Sequence, residues 1–328
     1  MDTGAILREL THAEGLPRDA LKAASAQRFE MLPLFLNEIE AYLALEPAAR
    51  AKQTPLFFIF HLLGEWREKA AYRPLARLLR LPGHEIDAIL GDAITTTSHR
   101  VMAAVFDGDP RPLYDIILDR NAEELIRSSM CEALAMVTLR GELDRALVGR
   151  FLRDAFMDLL PQAQNFVWAG WQSAIALLGM RDLKILVKKA FDRGFIDSHV
   201  LAFDHFEQDL RQGIQRPGEP QCPDDHEYTL FGDTIEEYPD GTALPRNTAR
   251  TRSGGDNRQR LIVPAANALK IRSKASGETT GVLAAVERNS RSAASLWCSL
   301  DRSAPRWLCP VCPAIGWSTR AWPCPRDF

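Results

Sequence analysis

Apolar residues recur every three or four positions from Pro17 to roughly Leu210, which is the spacing of one face of an α-helix. Three stretches share an apolar stripe at positions i, i+3 and i+4, and a fourth stretch is shifted slightly. The stripes are Leu75, Leu78 and Leu79; Leu113, Ile116 and Ile117; Leu183, Leu186 and Val187; and, in the shifted copy, Leu147, Phe151 and Leu152. The spacing predicts an almost continuous series of amphipathic helices broken by short turns.

Each stripe begins with the tripeptide Arg-x-Leu, and the four copies are evenly spaced. They start at Arg73, Arg111, Arg145 and Arg181, so the gaps are 38, 34 and 36 residues. This period is typical of stacked helix pairs, because a single pair cannot bury its own apolar face. We therefore predict a right-handed α-solenoid of about four antiparallel helix pairs.

The position of the tripeptide, rather than the tripeptide itself, carries this prediction. In the four spaced copies the arginine begins the second helix of a pair, and the leucine is expected to be its first core contact. The bare triplet also occurs at Arg8, Arg77, Arg150 and Arg306. Glycine and proline mark the intervening turns at 107–110, 140–142 and 179–181, where one helix ends and the next begins.

The charge balance of the chain changes sign near residue 245, and whole-chain averages hide this change. The chain of 328 residues is 46% hydrophobic and 25% charged, as in an ordinary soluble globular protein. Residues 246–328 contain 14 basic and 5 acidic residues, whereas residues 1–245 contain 26 basic and 38 acidic residues. The acidic body favours a basic or mixed-charge partner.

The start of the chain shows no basic region followed by an apolar stretch, and the longest apolar run, Pro55 to Leu63, is too short to cross a bilayer. A cytoplasmic protein with no membrane association is therefore expected. Cysteines that lie in helical patterns and in the tail do not argue for disulfides in the body.

Five short stretches resemble one known family when they are taken together. They are 54–57 (TPLF), 67–72 (REKAAY), 91–95 (GDAIT), 105–109 (VFDGD) and 231–237 (FGDTIEE). In combination they are similar to an uncharacterised bacterial family of HEAT-like helical-repeat proteins, domain of unknown function family 1186. The resemblance covers roughly residues 20–238. It implies a HEAT-like repeat fold and carries over no catalytic residue.

With that resemblance, the chain divides into four predicted parts. A flexible N-terminus (1–16) precedes a HEAT-like helical-repeat domain (17–212), an irregular arm or linker (213–245) and a basic tail of low order (246–328). The predicted fold class is all-α, with a helical solenoid followed by a largely disordered tail. Many family members end in a SEC-C zinc motif, which is absent from this sequence.

The tail departs from the family pattern after Glu237. It favours arginine over lysine by 12 to 2, and it holds four of the seven tryptophans and four of the six cysteines. An out-of-frame reading of a GC-rich gene produces this composition, so we hypothesise a frameshift near residue 238. Sequencing the locus tests the hypothesis, and an uninterrupted frame with close relatives of this tail would contradict it.

Cys309 and Cys312 in the tail have the C-x-x-C spacing of half a zinc site, with Cys298 and Cys324 as candidate completing ligands. The flanking residues are rich in tryptophan and proline and lack the glycines that turn a zinc knuckle. Incidental cysteines are therefore the favoured interpretation, and no cofactor is expected.

For the other candidate residues in the body, a structural role is favoured over a catalytic or metal-binding role. His199, Asp204, His205 and Asp209 crowd the last helix without a readable third partner. Asp107, Asp109 and Asp115 match a calcium loop only in its opening spacing, and a turn is the favoured interpretation. His61, His84 and His99 are isolated in sequence, and Cys131 is expected to be packed rather than reactive.

The leading functional hypothesis is a non-catalytic helical-repeat scaffold that binds another protein. One alternative is an enzyme or accessory subunit with a His/Asp site on the rim of the solenoid. The other is nucleic-acid association through the basic tail, in which Trp297, Trp307, Trp317 and Trp322 would stack on bases. A charged tail without that role is the commoner case, so nucleic acid is not the expected partner.

Overall fold

The computed structural model describes residues 1–50, 54–217 and 227–239. These residues form helices, turns and loops with no strand among them, which confirms the all-α class. The α-helices are α1 (Thr3–His12), α2 (Arg18–Ala26), α3 (Arg28–Ala44), α4 (Leu56–Glu65), α5 (Tyr72–Leu78), α6 (Gly83–Leu90), α7 (Ala93–Thr96), α8 (Ser98–Ala104), α9 (Arg111–Leu118), α10 (Glu124–Leu139), α11 (Arg145–Asp158), α12 (Val167–Leu177), α13 (Lys184–Asp192), α14 (Phe203–Gln215) and α15 (Thr234–Glu237). Short 3-10 helices span Pro47–Ala49, Lys69–Ala71 and Arg181–Leu183.

The first helix lies where the sequence suggested a flexible N-terminus. Asp2 caps α1, because its carboxylate accepts a hydrogen bond of 2.8 Å from the backbone N–H of Ala5. Ile6 and Leu10 are one turn apart and fully buried, and α1 packs against α2. Residues 3–12 are therefore part of the folded body rather than a flexible lead.

The helices contact one another in sequence order along two rows. In one row, α4 packs on α8, α8 on α10, α10 on α12, and α12 on α14. In the other, α3 packs on α5 and α5 on α9. Helix α10 also contacts α9 and α11. A solenoid requires such a succession of neighbours, and the solenoid arrangement with its right-handed superhelix stays a prediction.

Side-chain contacts link positions that are about one predicted repeat apart. The guanidinium of Arg73 donates hydrogen bonds to Asp107 and Asp109, at 3.1 and 2.7 Å, from 34 and 36 residues away. Arg145 donates to the backbone carbonyl of Leu178, 33 residues ahead. Two of the spaced arginines thus tie the start of one helix to the turn of the following pair.

The third copy of the stripe is wrong in detail. Leu75, Leu113 and Leu183 are buried as expected, but the side chain of Leu147 is 38% exposed. Val148 is fully buried in its place and begins a stripe with Leu152 and Ala155 on α11. The helix is rotated by one position because Val148 and Leu152, at i and i+4, fill the core.

Glycines allow the closest approaches between helices. A Cβ added at Gly170 in α12 would lie 2.2 Å from the carbonyl oxygen of Ser128 in α10. One added at Gly213 in α14 would lie 2.1 Å from the carbonyl oxygen of Ala176 in α12. Both obstacles are backbone atoms, so α12 packs on each neighbour at a distance that only glycine permits.

Candidate functional site

Residues 227–239 return to the helical body and pack against it. We call this segment the arm. Its side chains Phe231, Thr234 and Tyr238 are buried, and α15 contacts α2 and α4. Asp233 caps α15 by accepting hydrogen bonds from the N–H groups of Ile235 and Glu236. The predicted boundary at residue 212 therefore separates the arm from the repeats in sequence but not in packing.

His61 lies at the centre of the buried contacts between the arm and the body. Its Nδ1 donates to the carbonyl oxygen of Phe57 at 2.7 Å, because a carbonyl can only accept. Its Nε2 then accepts from the hydroxyl of Tyr238 at 2.8 Å, and Thr97 Oγ1 lies 2.9 Å away. The neutral imidazole thus joins α4 to the end of the arm, and a sequence separation of 177 residues gave no sign of this contact.

Arg100 on α8 forms the charged part of the same interface. Its Nη1 and Nη2 donate to the two carboxylate oxygens of Glu237 at 2.8 and 2.5 Å, as a two-pronged ion pair. Its Nε donates to the carbonyl oxygen of Thr229 at 2.9 Å, and its guanidinium lies 5.7 Å from the ring centre of Phe231. The side chain is nearly buried, so Glu237 compensates a charge that is largely removed from water.

Glu65 and His99 also bind the arm. One carboxylate oxygen of Glu65 accepts from the backbone N–H and the hydroxyl of Thr234, at 2.8 and 2.7 Å. Nε2 of His99 donates to the carbonyl oxygen of Glu227 at 2.6 Å. These polar groups bind the arm rather than face a solvent cleft, so their arrangement supports a structural role.

The buried histidines predict an acid-sensitive fold. Burial lowers the pKa of both His61 and His99 to about 4, because desolvation penalises the imidazolium. An unfolded chain takes up these protons near pH 6.5. Stability is therefore fully present above about pH 6.5 and falls as the pH drops toward 4, by roughly 3 kcal/mol per histidine over that window.

Urea unfolding of the full chain at pH 7.5 and 5.5 measures this loss, which we expect to be about 2 to 3 kcal/mol at pH 5.5. His61→Gln should remove about half of the pH dependence, while His84→Gln, at an exposed position, should leave it unchanged. Equal stability at the two pH values would contradict the prediction.

The His and Asp side chains that crowd the last helix are not grouped as ligands of one metal ion within the described residues. Asp204 is exposed in the first turn of α14, and the backbone N–H of His199 donates to Asp197 at 2.9 Å in the preceding turn. Nδ1 of His205 is buried and makes no hydrogen bond within the described part of the chain. Across residues 1–50, 54–217 and 227–239, no three His, Cys, Asp or Glu side chains are grouped to hold a metal ion.

The aspartates of the 107–110 turn are occupied by hydrogen bonds within the protein. Asp107 accepts from the N–H of Asp109 at 2.9 Å, and Asp109 pairs with Arg73 and Arg111. These arginines hold the pKa of Asp109 well below its usual range. The interpretation as a turn joining two helices is confirmed.

The remaining candidates are cysteines. Cys131 is a fully buried free cysteine on α10, and burial raises the pKa of its thiol, so the prediction of a packed side chain is confirmed. Cys298, Cys309, Cys312 and Cys324 lie outside the described residues. The zinc site and the alternative of incidental cysteines both stay predictions.

A different surface, on α11 and α13, combines exposed apolar side chains with a groove; Phe29 on α3 is more exposed, at 92%, but does not line that groove. Met157 is 71% exposed and Ile185 is 65% exposed. Met157 lines an open groove of about 660 Å³ between the two helices, together with Phe156, Leu186 and charged side chains. We call the exposed side of α11, α13 and the Arg181–Leu183 turn the basic face. The sequence carried a signal for it, because Met157 and Ile185 are apolar residues outside the predicted stripes.

The charge of this face is opposite to that of the rest of the body. Residues 145–193 contain eight basic and four acidic residues, whereas the remainder of 1–245 contains 18 basic and 34 acidic residues. Five cations of the face form no ion pair within the described residues: Arg145, Arg150, Arg181, Lys189 and Arg193. Among the carboxylates of this face, only Asp154 and Asp158 likewise form no ion pair within the described residues. The face is therefore both apolar and cationic.

Successively packed helices, a C-terminal arm and an exposed basic face define an all-helical protein in its described part. The chain belongs to the family described as "Protein of unknown function (DUF1186)", which matches residues 1–240. The membership in this family that the five short stretches indicated is thereby confirmed, while the HEAT-like repeat stays a prediction. The match ends one residue beyond the described arm and two beyond the predicted break near residue 238.

Two relatives from Chlamydia are similar over the same part of the chain. An uncharacterised protein of Chlamydia trachomatis serovar D is 23% identical over 244 residues, which cover 72% of this chain and 94% of the relative. An uncharacterised protein of Chlamydia muridarum is also 23% identical, with 72% and 95% covered. No solved structure matches the chain significantly. None of the described helices has the length and apolar composition that crossing a bilayer requires.

Proposed function

We propose that this protein is a non-catalytic, cytoplasmic HEAT-like repeat scaffold that binds another protein through the basic face. The observation that carries the proposal is the exposure of Met157 beside an open groove, on a helix whose Val148, Leu152 and Phe156 are buried in the core. Burying such a side chain in an interface is favourable by about 1.5 to 3 kcal/mol, and its position at a groove lined also by Phe156 and Leu186 distinguishes it from an isolated exposed apolar residue.

The remaining architecture supports the same proposal. His61 and Arg100 form hydrogen bonds to the arm, so they stabilise the body rather than bind a ligand. The groove lies between successive helices, where side chains of both helices converge. A packed row of helices holds such a surface in a fixed geometry, which lowers the entropic cost of binding.

Site-specific photocrosslinking in the native host tests the function. A benzophenone amino acid replaces Met157 in the full chain, and the matched control carries it at Phe29, which is 92% exposed on α3. We expect one protein to be crosslinked recurrently from position 157 and not from position 29. Adducts no more frequent from position 157 than from position 29, or than in cells without irradiation, would contradict the proposal.

A further inference from the structure

We infer that the partner segment that binds the basic face is an acidic amphipathic helix. This inference rests on the proposed function and adds the chemistry of the partner. It differs from the expectation drawn from the charge of the whole body, which favoured a basic or mixed-charge partner. The local charge of the binding surface decides the matter, because salt screens interactions beyond about 8 to 10 Å.

The apolar part of the groove sets the shape of the partner. Phe156 and Leu186 lie at its base, while Met157 stands at its edge. A groove between two helices accommodates a third helix, whose apolar side chains at i, i+3 and i+4 enter between them. A volume of about 660 Å³ is enough for several such side chains.

The charged side chains around the groove indicate the charge of the partner. Arg153, Lys189 and Arg193 line it, and Lys189 makes no ion pair within the described residues. The guanidinium of Arg193 lies 5.4 Å from the ring centre of Phe156, so a cation is held directly over the apolar base. Carboxylates that flank the partner's apolar stripe would meet these cations at the rim.

A peptide helix fits these observations better than nucleic acid. Asp154 and Asp158 also line the groove, and both would oppose a continuous row of phosphates. In an amphipathic helix, by contrast, carboxylates are spaced along the flanks and can avoid two fixed negative charges. The exposed thioether of Met157 has no phosphate partner, whereas an apolar stripe would cover it.

The test uses the full chain and two synthetic 18-residue helical peptides that share one leucine stripe. One peptide carries glutamate on both flanks and the other carries lysine. Fluorescence anisotropy measures their binding, with an 18-base-pair DNA duplex as a third probe. We expect the glutamate peptide to bind at least about tenfold more tightly than either the lysine peptide or the duplex.

Two pairs of variants locate the binding. Met157→Ser and Lys189→Glu should each weaken binding of the glutamate peptide by about five- to tenfold. Phe29→Ser also replaces an exposed apolar side chain by serine, on α3, and Lys22→Glu makes the same charge reversal on α2; both should alter the affinity less than about twofold. All four side chains are exposed, so each variant should remain folded. Circular dichroism of each variant checks this expectation.

Equal or tighter binding of the lysine peptide or the duplex would overturn the inference, as would equal affinities for the Met157 and Phe29 variants. The proposed function can be separated from this outcome. If position 157 crosslinks a host protein through a basic segment, the scaffold role stands and the acidic helix is wrong. If position 157 captures no protein, the proposed function itself fails.

Discussion

Replacing Gly170 with alanine is expected to lower the free energy of unfolding by about 3 kcal/mol or more. The new Cβ would lie 2.2 Å from the carbonyl oxygen and 2.5 Å from the Cα of Ser128. These are backbone atoms of α10, so no side chain can rotate to relieve the contact. Helices α10 and α12 would have to move apart, and the buried contacts of Trp168 and Trp171 would loosen with them.

Urea unfolding followed by circular dichroism measures this effect. The matched control is Gly149→Ala in α11, where the added Cβ would lie 3.5 Å from the methyl group of Met180. That distance is an ordinary contact, and alanine favours the helical backbone by about 0.5 to 1 kcal/mol. The control should therefore be neutral or slightly stabilising. Equal stabilities of the two variants would show that α10 and α12 are not packed this closely.

Removing the arm is expected to have the second large effect. A chain ending at residue 226 loses the buried rings of Phe231 and Tyr238, each worth about 1.5 to 3 kcal/mol. It also removes the ion pair with Glu237 and the hydrogen bonds that Arg100 donates to the arm, at a further cost of about 1.5 to 3 kcal/mol. The sum of about 4.5 to 9 kcal/mol is comparable to the whole stability of many domains. We therefore expect the shortened chain to lose its cooperative thermal transition.

The reference for this truncation is a chain ending at residue 239, which keeps every arm contact described above. Circular dichroism melting compares the two chains. A finer pair of variants isolates the ion pair: Glu237→Gln removes the charge facing Arg100, while Glu236→Gln changes an exposed neighbour. The first should lower the melting temperature clearly and the second hardly at all. Identical melting of the two truncated chains would mean that the arm is not part of the fold.

The helices could be predicted because their signal is local. Leu113, Ile116 and Ile117 lie one turn apart, and the core they face requires that spacing whatever lies opposite. The same logic failed at Leu147, where Val148 offered a competing stripe one position along. Since neighbouring apolar residues differ by only about 100° around a helix, tertiary packing chooses between them.

The arm could not be predicted for the opposite reason. Its partners lie far away in the chain: Tyr238 meets His61 across 177 residues, and Glu237 meets Arg100 across 137. A buried histidine and a buried arginine give no periodic signal, so His61 and His99 were isolated in the sequence. In the sequence, the stretch 231–237 is marked only by its resemblance to a family. Its buried contacts with the body are a physical reason for that resemblance.

The positive charge of the basic face is hidden when charge is averaged over the whole body. The charge of the whole body favoured a basic or mixed-charge partner, since acidic residues predominate over residues 1–245. The reversal of sign is confined to residues 145–193, and its cations converge only when α11 and α13 are placed side by side. A charge balance taken helix by helix would have found the reversal.

Hydrogen–deuterium exchange of the full chain with and without the glutamate-flanked peptide tests the binding face most directly. At saturating peptide, we expect amide exchange to slow in α11 and α13, because the bound helix stabilises both walls of the groove. Exchange in α3, which carries the exposed Phe29, should be unchanged. Slower exchange confined to α3 or to the arm, or no change in α11 and α13, would contradict a partner-binding role for the basic face.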